Sequence, residues 1–127
     1  MGIRVTAVDN DPELLKKISR LLKAMPDVEF CGAFEEAVTV VEYVKEQEIE
    51  LVFTDIVMPD ISGISLAGEL KKLDHEPAVV LMSSIPGFSL EAWKIDAFAF
   101  IEKPYTGAQI AAVIEMYKQS KENRHDE

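Results

Sequence analysis

The chain has 127 residues, of which 48% are hydrophobic, and its 13 basic and 23 acidic side chains give a net charge of −10. This length fits one domain, and the charge opposes direct binding to nucleic acid phosphates. The apolar stretches are too short and too broken by charge for a membrane span or a signal peptide, and Cys31 is alone, so we expect a cytoplasmic protein with no membrane contact.

The first part of the chain predicts two strands, each followed by a helix. Residues 3–8 predict a strand, and Asp11-Pro12-Glu13 predicts a helix start because an acceptor side chain, a proline and an acid favour the first turn. Residues 28–33 predict a second strand. Residues 37–44 predict a second helix in spite of their β-branched side chains. The first helix has one apolar face, made of Leu14, Leu15, Ile18, Leu21, Leu22 and Met25.

The third strand is an almost wholly apolar run, residues 49–55, that ends at Asp55. Such runs are typical of parallel strands that are covered on both faces. A helix is predicted over residues 64–73, a strand over 77–83, a short and weakly specified helix over 89–95 and a strand over 98–102. The last helix is predicted from about Thr106 to Tyr117, before a polar tail.

Five strands that alternate with five helices imply right-handed crossovers. The predicted fold is therefore α/β, a flavodoxin-like doubly wound five-stranded parallel sheet, (βα)5, in three α/β/α layers. We expect residues 1–120 to form the domain and residues 121–127 to be a polar tail or the start of a linker.

Reactive side chains follow four of the predicted strands. Because the carboxyl ends of parallel strands converge on one edge of a doubly wound sheet, acidic groups, hydroxyls and an ammonium can share one small cleft there. Taken singly, each of these residues is more typical of a turn or a solvated surface. The side chains at the four ends are Asp9, Asn10 and Asp11, then Asp55, then Ser83 and Ser84, and finally Lys103.

This combination favours phosphoryl chemistry. Mg²⁺ binds oxygen ligands, often one or two carboxylates together with phosphate oxygens and water, and two acidic strand ends can supply them. Asp55 can then act as the nucleophile and form an aspartyl phosphate. Positioning and charge neutralisation dominate such transfers, a role for the metal and Lys103, while Ser83 can donate a hydrogen bond to a phosphoryl oxygen.

Five separated motifs occur in the order that is found in one known family. The chain resembles the receiver domain of two-component response regulators, of the chemotaxis-regulator type, over practically its whole length. The motifs are Val8-Asp9-Asn10-Asp11, Asp55 with Met58-Pro59 and Ser62-Gly63, Ser83-Ser84, Phe100, and Lys103-Pro104.

The resemblance implies a role for each matching residue. Asp55 is the phosphoacceptor, and Ser83 and Lys103 contact the phosphoryl group. Phe100 is the aromatic switch residue that moves with Ser83, and the Lys103-Pro104 bond is cis. The metal ligands that the resemblance implies are Asp9, Asn10, Asp55 and the Val57 carbonyl.

The resemblance also implies partners and a role in signalling. A sensor histidine kinase supplies the phosphoryl group, and the domain catalyses only its own phosphoryl transfer and dephosphorylation. An output surface made of the fourth helix, the fifth strand and the last helix switches and can form a homodimer. Residues 88–104 resemble receivers attached to a LytTR-type DNA-binding domain, so the chain is either the receiver of such a transcription regulator or a stand-alone receiver.

Asn10 departs from the family pattern, which usually has a second acid at this position. We expect weaker Mg²⁺ binding as a result, because one negative charge is lost. This departure keeps open an alternative, a receiver-like interaction module that is never phosphorylated. A further alternative is a haloacid dehalogenase-type phosphohydrolase with Asp9 as its nucleophile, although it makes no use of Asp55.

Overall fold

The computed structural model describes residues 2–85, residue 87 and residues 89–125. Phe88 of the LytTR-like segment and the last two residues of the predicted tail lie outside the described residues. Within the described part of the chain, five strands alternate with five helices. In chain order these are β1 (Ile3–Val8), α1 (Pro12–Lys23), β2 (Val28–Phe34), α2 (Val40–Gln47), β3 (Leu51–Asp55), α3 (Gly63–Leu70), β4 (Ala78–Ser83), α4 (Ser89–Lys94), β5 (Ala99–Glu102) and α5 (Gly107–His125).

The five strands form one parallel sheet in the order β2-β1-β3-β4-β5. The predicted flavodoxin-like α/β fold is confirmed. The strand order reverses between β1 and β3, and in open parallel sheets ligands bind at the carboxyl ends of the strands beside such a reversal. All five residues of β3 are buried, as its apolar run predicted.

Two apolar cores cover the two faces of the sheet. On one face, side chains of α1 and α5, among them Ile18 and Ile110, pack against Phe53 of β3. On the other face, side chains of α2 and α3, among them Val44 and Leu66, pack against the sheet. Each large apolar side chain buried in this way contributes about 1.5–3 kcal/mol to stability. In the described residues, no helix is both long enough and apolar enough for a membrane span.

Helix α1 begins as predicted. Asp11 is its N-cap, and the Asp11 side chain accepts hydrogen bonds from the backbone N–H groups of Glu13 and Leu14 at 2.9 and 3.4 Å. Pro12 occupies the first helical position, where its missing N–H removes no intrahelical bond. The cap fixes the direction in which the chain leaves β1.

Helix α2 begins at Val40, so the prediction of a helix over residues 37–44 was wrong at its start. The carbonyl of Ala37 accepts the Val40 N–H at 3.0 Å in a turn before the helix. This turn keeps residues 37–39 outside the helix.

Helix α5 runs to His125, so the prediction that it ends near Tyr117 was also wrong. Two lysines in its last part bind acids of the domain. Lys118 Nζ lies 2.7 Å from Asp27 Oδ2, and Lys121 Nζ lies 2.6 Å from Glu50 Oε1. These long-range ion pairs stabilise a helical segment whose own sequence is largely polar.

Candidate functional site

Asp9 and Asp55 lie side by side where the strand order reverses. Asp9 directly follows β1, and Asp55 is the last residue of β3, the strand beside it. The register pairs Val8 with Thr54, which brings the two acids to the same level. Asp9 is completely buried, and the Asp55 side chain is 11% exposed. The two predicted acidic strand ends therefore meet at one point of the sheet edge.

Lys103 forms ion pairs with the carboxylates of both Asp9 and Asp55. Its Nζ lies 2.9 Å from Asp9 Oδ2 and 3.2 Å from Asp55 Oδ1, and its side chain is only 8% exposed. The Lys103 N–H donates to the Ser83 carbonyl at 2.9 Å, which fixes the end of β5 against β4. The Lys103-Pro104 bond is cis, as the resemblance implied. Because these three charges are shielded from water, they interact strongly.

The environment of Asp55 opposes its ionisation. Burial raises the pKa of the Asp55 carboxyl above its ordinary value, and the negative charge of Asp9 raises it further. The Lys103 ammonium and the Val57 N–H act in the opposite direction but do not cancel the effect. A bound cation would favour the ionised carboxylate, which is the nucleophilic form.

The neighbours of Asp9 have separate roles. Asp9 Oδ1 accepts the Asp11 N–H at 2.9 Å, while Oδ2 is buried beside Lys103 without a well-directed hydrogen bond in the described part of the chain. Asp11 caps α1, as predicted. Asn10 is exposed and lines the crevice. The Asp9 carboxylate is fully buried and contacts both the Asp11 N–H and the Lys103 ammonium. This environment gives no support to the alternative of a haloacid dehalogenase-type phosphohydrolase with Asp9 as its nucleophile.

A cavity of about 400 Å³ opens beside these groups. Since one water occupies about 30 Å³ of liquid, the cavity has room for a phosphoryl group and several waters. Two predicted residues, Asp9 and Phe100, do not line it. The predicted residues that line it are Asn10, Asp11, Asp55, Val57, Ser83, Ser84 and Lys103.

The oxygen donors at this crevice suit a hard cation with few protein ligands. Among the described residues, no three His, Cys, Asp or Glu side chains are grouped to hold a metal by themselves. The donors that the resemblance implies are the carboxylates of Asp9 and Asp55, the amide of Asn10 and the backbone carbonyl of Val57. Asn10, Asp55 and Val57 line the cavity, and Asp9 is buried beside Asp55. Mg²⁺ typically binds one or two carboxylates and completes its shell with water and phosphate oxygens, so these residues fit Mg²⁺.

Ser83 and Phe100 lie together at a second cavity next to the site. Ser83 Oγ accepts the Ile85 N–H at 3.0 Å and donates to the Ile85 carbonyl at 3.4 Å. Phe100 is half-buried and lines this second cavity of about 300 Å³, together with Ser83 and Ile85. The Ser83 hydroxyl is thus held by its own loop, next to free space beside the aromatic ring.

The glycine of the Ser62-Gly63 motif allows a close approach of two backbones. A Cβ atom at Gly63 would lie only 2.1 Å from the Asp55 carbonyl oxygen. The Gly63 N–H donates to the Ile56 carbonyl at 2.8 Å, and Ser62 caps α3 by accepting the Ser65 N–H at 3.0 Å. The start of α3 therefore packs directly on the backbone that carries Asp55.

One contact beside the site was not predicted. Lys17 Nζ of α1 donates to the Tyr105 carbonyl at 2.6 Å, across 88 residues of sequence. From the sequence, Tyr105 was expected to be a packing residue at the border of the site, and Lys17 had no predicted role. No spacing or motif links a lysine on the first helix to the loop before the last one, so the sequence offered no signal for this contact.

Comparison with known proteins assigns the chain to a family. A family model described as a response regulator receiver domain matches residues 5–115. The transcriptional regulatory protein YpdB of Escherichia coli (strain K12) is 25% identical over 113 residues, which are 89% of this chain and 46% of that protein. The sensory transduction protein LytT of Bacillus subtilis (strain 168) is 26% identical over 117 residues, 92% of this chain and 48% of that protein. The chain thus spans about half the length of these curated relatives.

Solved structures share the fold. The response regulatory domain of protein MrkE from Klebsiella pneumoniae has a TM-score of 0.86 at 23% identity, covering 94% of this chain and 98% of that one. A CheY-like receiver domain protein from Methanospirillum hungatei JF-1 has a TM-score of 0.86 at 20% identity, covering 98% and 99%. At these identities the likeness establishes the fold alone.

Proposed function

The chain belongs to the response regulator receiver family of two-component signalling, and from this membership we propose that Asp55 accepts a phosphoryl group in a Mg²⁺-dependent reaction. One observation carries the proposal: a single buried ammonium, Lys103, contacts Asp55 at 3.2 Å and Asp9 at 2.9 Å. Receiver domains are signalling modules rather than classical enzymes. In this proposal the chain catalyses only its own phosphoryl transfer and dephosphorylation.

The proposed transfer is an in-line displacement at phosphorus. A carboxylate oxygen of Asp55 forms the new O–P bond while the N–P bond of a phosphohistidine breaks, and the electron pair of that bond stays with the departing imidazole. The donor is a sensor histidine kinase. The Lys103 ammonium stabilises the negative charge that develops on the phosphoryl oxygens, because it lies 3.2 Å from the Asp55 carboxylate.

The proposed metal ligands are the side chains of Asp9, Asn10 and Asp55 and the carbonyl of Val57. When bound, Mg²⁺ supplies positive charge against the phosphoryl oxygens. The support is the placement of these residues: Asn10, Asp55 and Val57 line one cavity of about 400 Å³, and Asp9 is buried beside Asp55.

Phosphorylation is proposed to switch the surface formed by α4, β5 and α5. Ser83 would exchange its hydrogen bond to the Ile85 carbonyl for one to a phosphoryl oxygen, and Phe100 would move with it. Helix α4 supports a role in association, because Leu90 and Trp93 are 56% and 78% exposed. We propose that two copies of the chain form a homodimer through this surface.

The wider role of the protein is also a proposal. The curated relatives named above are about twice as long, and YpdB is a transcriptional regulatory protein, which supports a receiver that works with an output domain. We propose that this output domain is C-terminal and binds DNA, and that the protein is cytoplasmic. Within this chain we propose residues 1–120 as the receiver and residues 121–127 as a tail or linker. This domain itself does not bind nucleic acid in our proposal, consistent with its net charge of −10.

The direct test is the intact mass of the protein after incubation with acetyl phosphate and Mg²⁺. We expect one phosphoryl adduct, absent in Asp55→Ala and absent when EDTA replaces Mg²⁺, with circular dichroism to show that the variant is folded. An adduct that survives in Asp55→Ala would contradict the proposal and favour Asp9 as the nucleophile.

One observation favours a second candidate function, the receiver-like module that is never phosphorylated. Asn10 removes one negative charge from the proposed metal site. In that case the folded wild-type protein forms no adduct, while a known receiver treated in parallel is labelled. The proposal of phosphorylation on Asp55 would then be wrong.

A further inference from the structure

Helix α1 holds the loop that follows Lys103. Lys17 Nζ donates to the Tyr105 carbonyl at 2.6 Å and lies 4.6 Å from the centroid of the Tyr105 ring. The Tyr105 hydroxyl donates to the Leu14 carbonyl at 3.4 Å. Although Tyr105 lies between β5 and α5, it is only 2% exposed. We call Leu14, Lys17 and Tyr105 the α1 clamp.

The clamp acts on a segment that is already fixed at its other end. Lys103 precedes Tyr105 by two residues, and its N–H is bound to the Ser83 carbonyl at 2.9 Å. Helix α1 is itself tied to the crevice, because the Asp11 N–H donates to Asp9 Oδ1 at 2.9 Å. Residues 103–105 are therefore held between β4 and a helix that is bound to one of the two acids.

The Lys17 ammonium is committed to this contact. Within the described residues it forms no ion pair with a carboxylate, whereas its neighbour Lys16 lies 3.8 Å from Glu13. A short hydrogen bond to a carbonyl and a position over an aromatic ring are both favourable for a lysine. The Lys17 side chain thus stabilises the position of Tyr105.

The position of this loop matters because Lys103 has to reach two carboxylates at once. Its ammonium lies 2.9 Å from Asp9 and 3.2 Å from Asp55, and a lysine side chain has many rotamers when its backbone is free to shift. We propose that Lys17 is a positioning residue, which acts through Tyr105 to keep the Lys103 ammonium on both acids and so sets the rate of phosphoryl transfer. The effect on the rate rests on the proposed function, while the effect on Lys103 does not.

The test compares two neighbouring lysines. Lys17→Met removes the ammonium and keeps the length of the side chain, and Lys16→Met makes the same change at a side chain that is 73% exposed. With acetyl phosphate and Mg²⁺ we expect Lys17→Met to lower the maximal rate of Asp55 phosphorylation about tenfold, since small displacements of catalytic groups are costly. The half-saturating acetyl phosphate concentration should not change. Lys16→Met should match the wild type.

A conservative variant separates positioning from general stability. Lys17→Arg keeps the charge, the donors and the ability to stack on an aromatic ring, so it should restore most of the rate. A normal maximal rate in Lys17→Met would overturn the proposal. A slow Lys17→Met with a lowered melting temperature and no rescue by arginine would also overturn it, because the residue would then have only a structural role.

A second measurement does not depend on phosphorylation. The side-chain ammonium signal of Lys103 in ¹⁵N NMR should shift in Lys17→Met and stay unchanged in Lys16→Met. If the wild-type protein takes up no phosphoryl group, the proposed function is wrong, and this NMR signal alone tests whether Lys17 positions the Lys103 ammonium. An unshifted Lys103 signal in Lys17→Met would then overturn it.

Discussion

Asn10 is an amide at a position where the resemblance to receiver domains implies a second carboxylate, and it is an exposed residue that lines the cavity beside Asp55. An acid at this position would add a negative charge close to the proposed cation. At an effective dielectric constant of about 20, unit charges about 4 Å apart interact by about 4 kcal/mol. The desolvation of the charges offsets part of this energy, but a fraction of it is enough to raise the affinity for Mg²⁺ about tenfold. We therefore predict that Asn10→Asp binds Mg²⁺ at least about tenfold more tightly than the wild type.

Isothermal titration with MgCl₂ measures this difference. Gln119→Glu provides the control, because it makes the same amide-to-acid change on the exposed surface of α5. Equal or weaker Mg²⁺ binding by Asn10→Asp, relative to wild type, would show that Asn10 does not contribute to the cation site.

Single residues show what a sequence can and cannot reveal about this site. Asp9, Asp55 and Lys103 were predicted to meet because each follows a strand, and parallel strands bring their carboxyl ends to one edge. The contact of Lys17 with Tyr105 was not predicted. It depends on how one helix face packs against a distant loop, which periodicity does not specify.

At the scale of elements, the start of α3 is packed against the end of β3 with no room for a side chain. A Cβ at Gly63 would lie 2.1 Å from the Asp55 carbonyl oxygen and 3.0 Å from Ile56 Cα, so one of these backbones has to move in Gly63→Ala. We predict a loss of about 1–3 kcal/mol in the free energy of unfolding, in the range of overpacked sites, together with slower phosphorylation of Asp55.

Gly68 of α3 is a matched control within the same helix. Nothing lies within 4 Å of a Cβ built at Gly68. Gly68→Ala should therefore stabilise the protein by up to about 1 kcal/mol through helix propensity, without an effect on phosphorylation. Urea unfolding of both variants measures the difference, and equal stability of the two would contradict the close packing at Gly63.

The order and type of the ten elements in the described residues followed from the sequence, but three helix boundaries did not. Helix α2 starts later than its valines indicated, after a turn in which the Ala37 carbonyl accepts the Val40 N–H. Helix α3 ends at Leu70, before the predicted residue 73. Helix α5 continues past Tyr117, because Lys118 and Lys121 bind acids far away in sequence. In α5 these tertiary contacts outweigh the polar local pattern, and local sequence rules do not include them.

At the scale of the whole molecule, the end of the sheet opposite Asp55 is closed by a second charged centre. Glu50 directly precedes β3, and its Oε2 accepts the Arg4 N–H of β1 at 3.2 Å. On α5, Lys121 donates to Glu50 Oε1 at 2.6 Å and the Tyr117 hydroxyl donates to it at 3.3 Å. One carboxylate thus connects two central strands with the last helix.

The pKa of Glu50 links this centre to the pH dependence of global stability. Burial alone would raise the pKa of the Glu50 carboxyl, but the hydrogen bond from Lys121 and that from the Arg4 N–H outweigh burial and hold it below its ordinary value. Because the folded pKa is below the unfolded one, the unfolded chain binds the proton more tightly. The contribution of Glu50 is therefore present above the unfolded pKa of about 4.3 and is lost as the pH falls through the folded pKa.

We predict that Glu50→Gln lowers the free energy of unfolding by about 0.5–1 kcal/mol near pH 7. The expected effect is modest because the Glu50 and Lys121 side chains are 24% and 56% exposed, so solvent screens the ion pair. The difference from wild type should shrink as the pH falls below about 4.3 and approach zero below the lowered folded pKa of Glu50, where both folded proteins carry a neutral group at this position. Urea unfolding at several pH values measures it, with Glu13→Gln as the control, since Glu13 lies 3.8 Å from Lys16 and is 84% exposed. A stability difference that persisted or grew in acid would mean that the Glu50 charge does not stabilise the contact between α5 and the sheet.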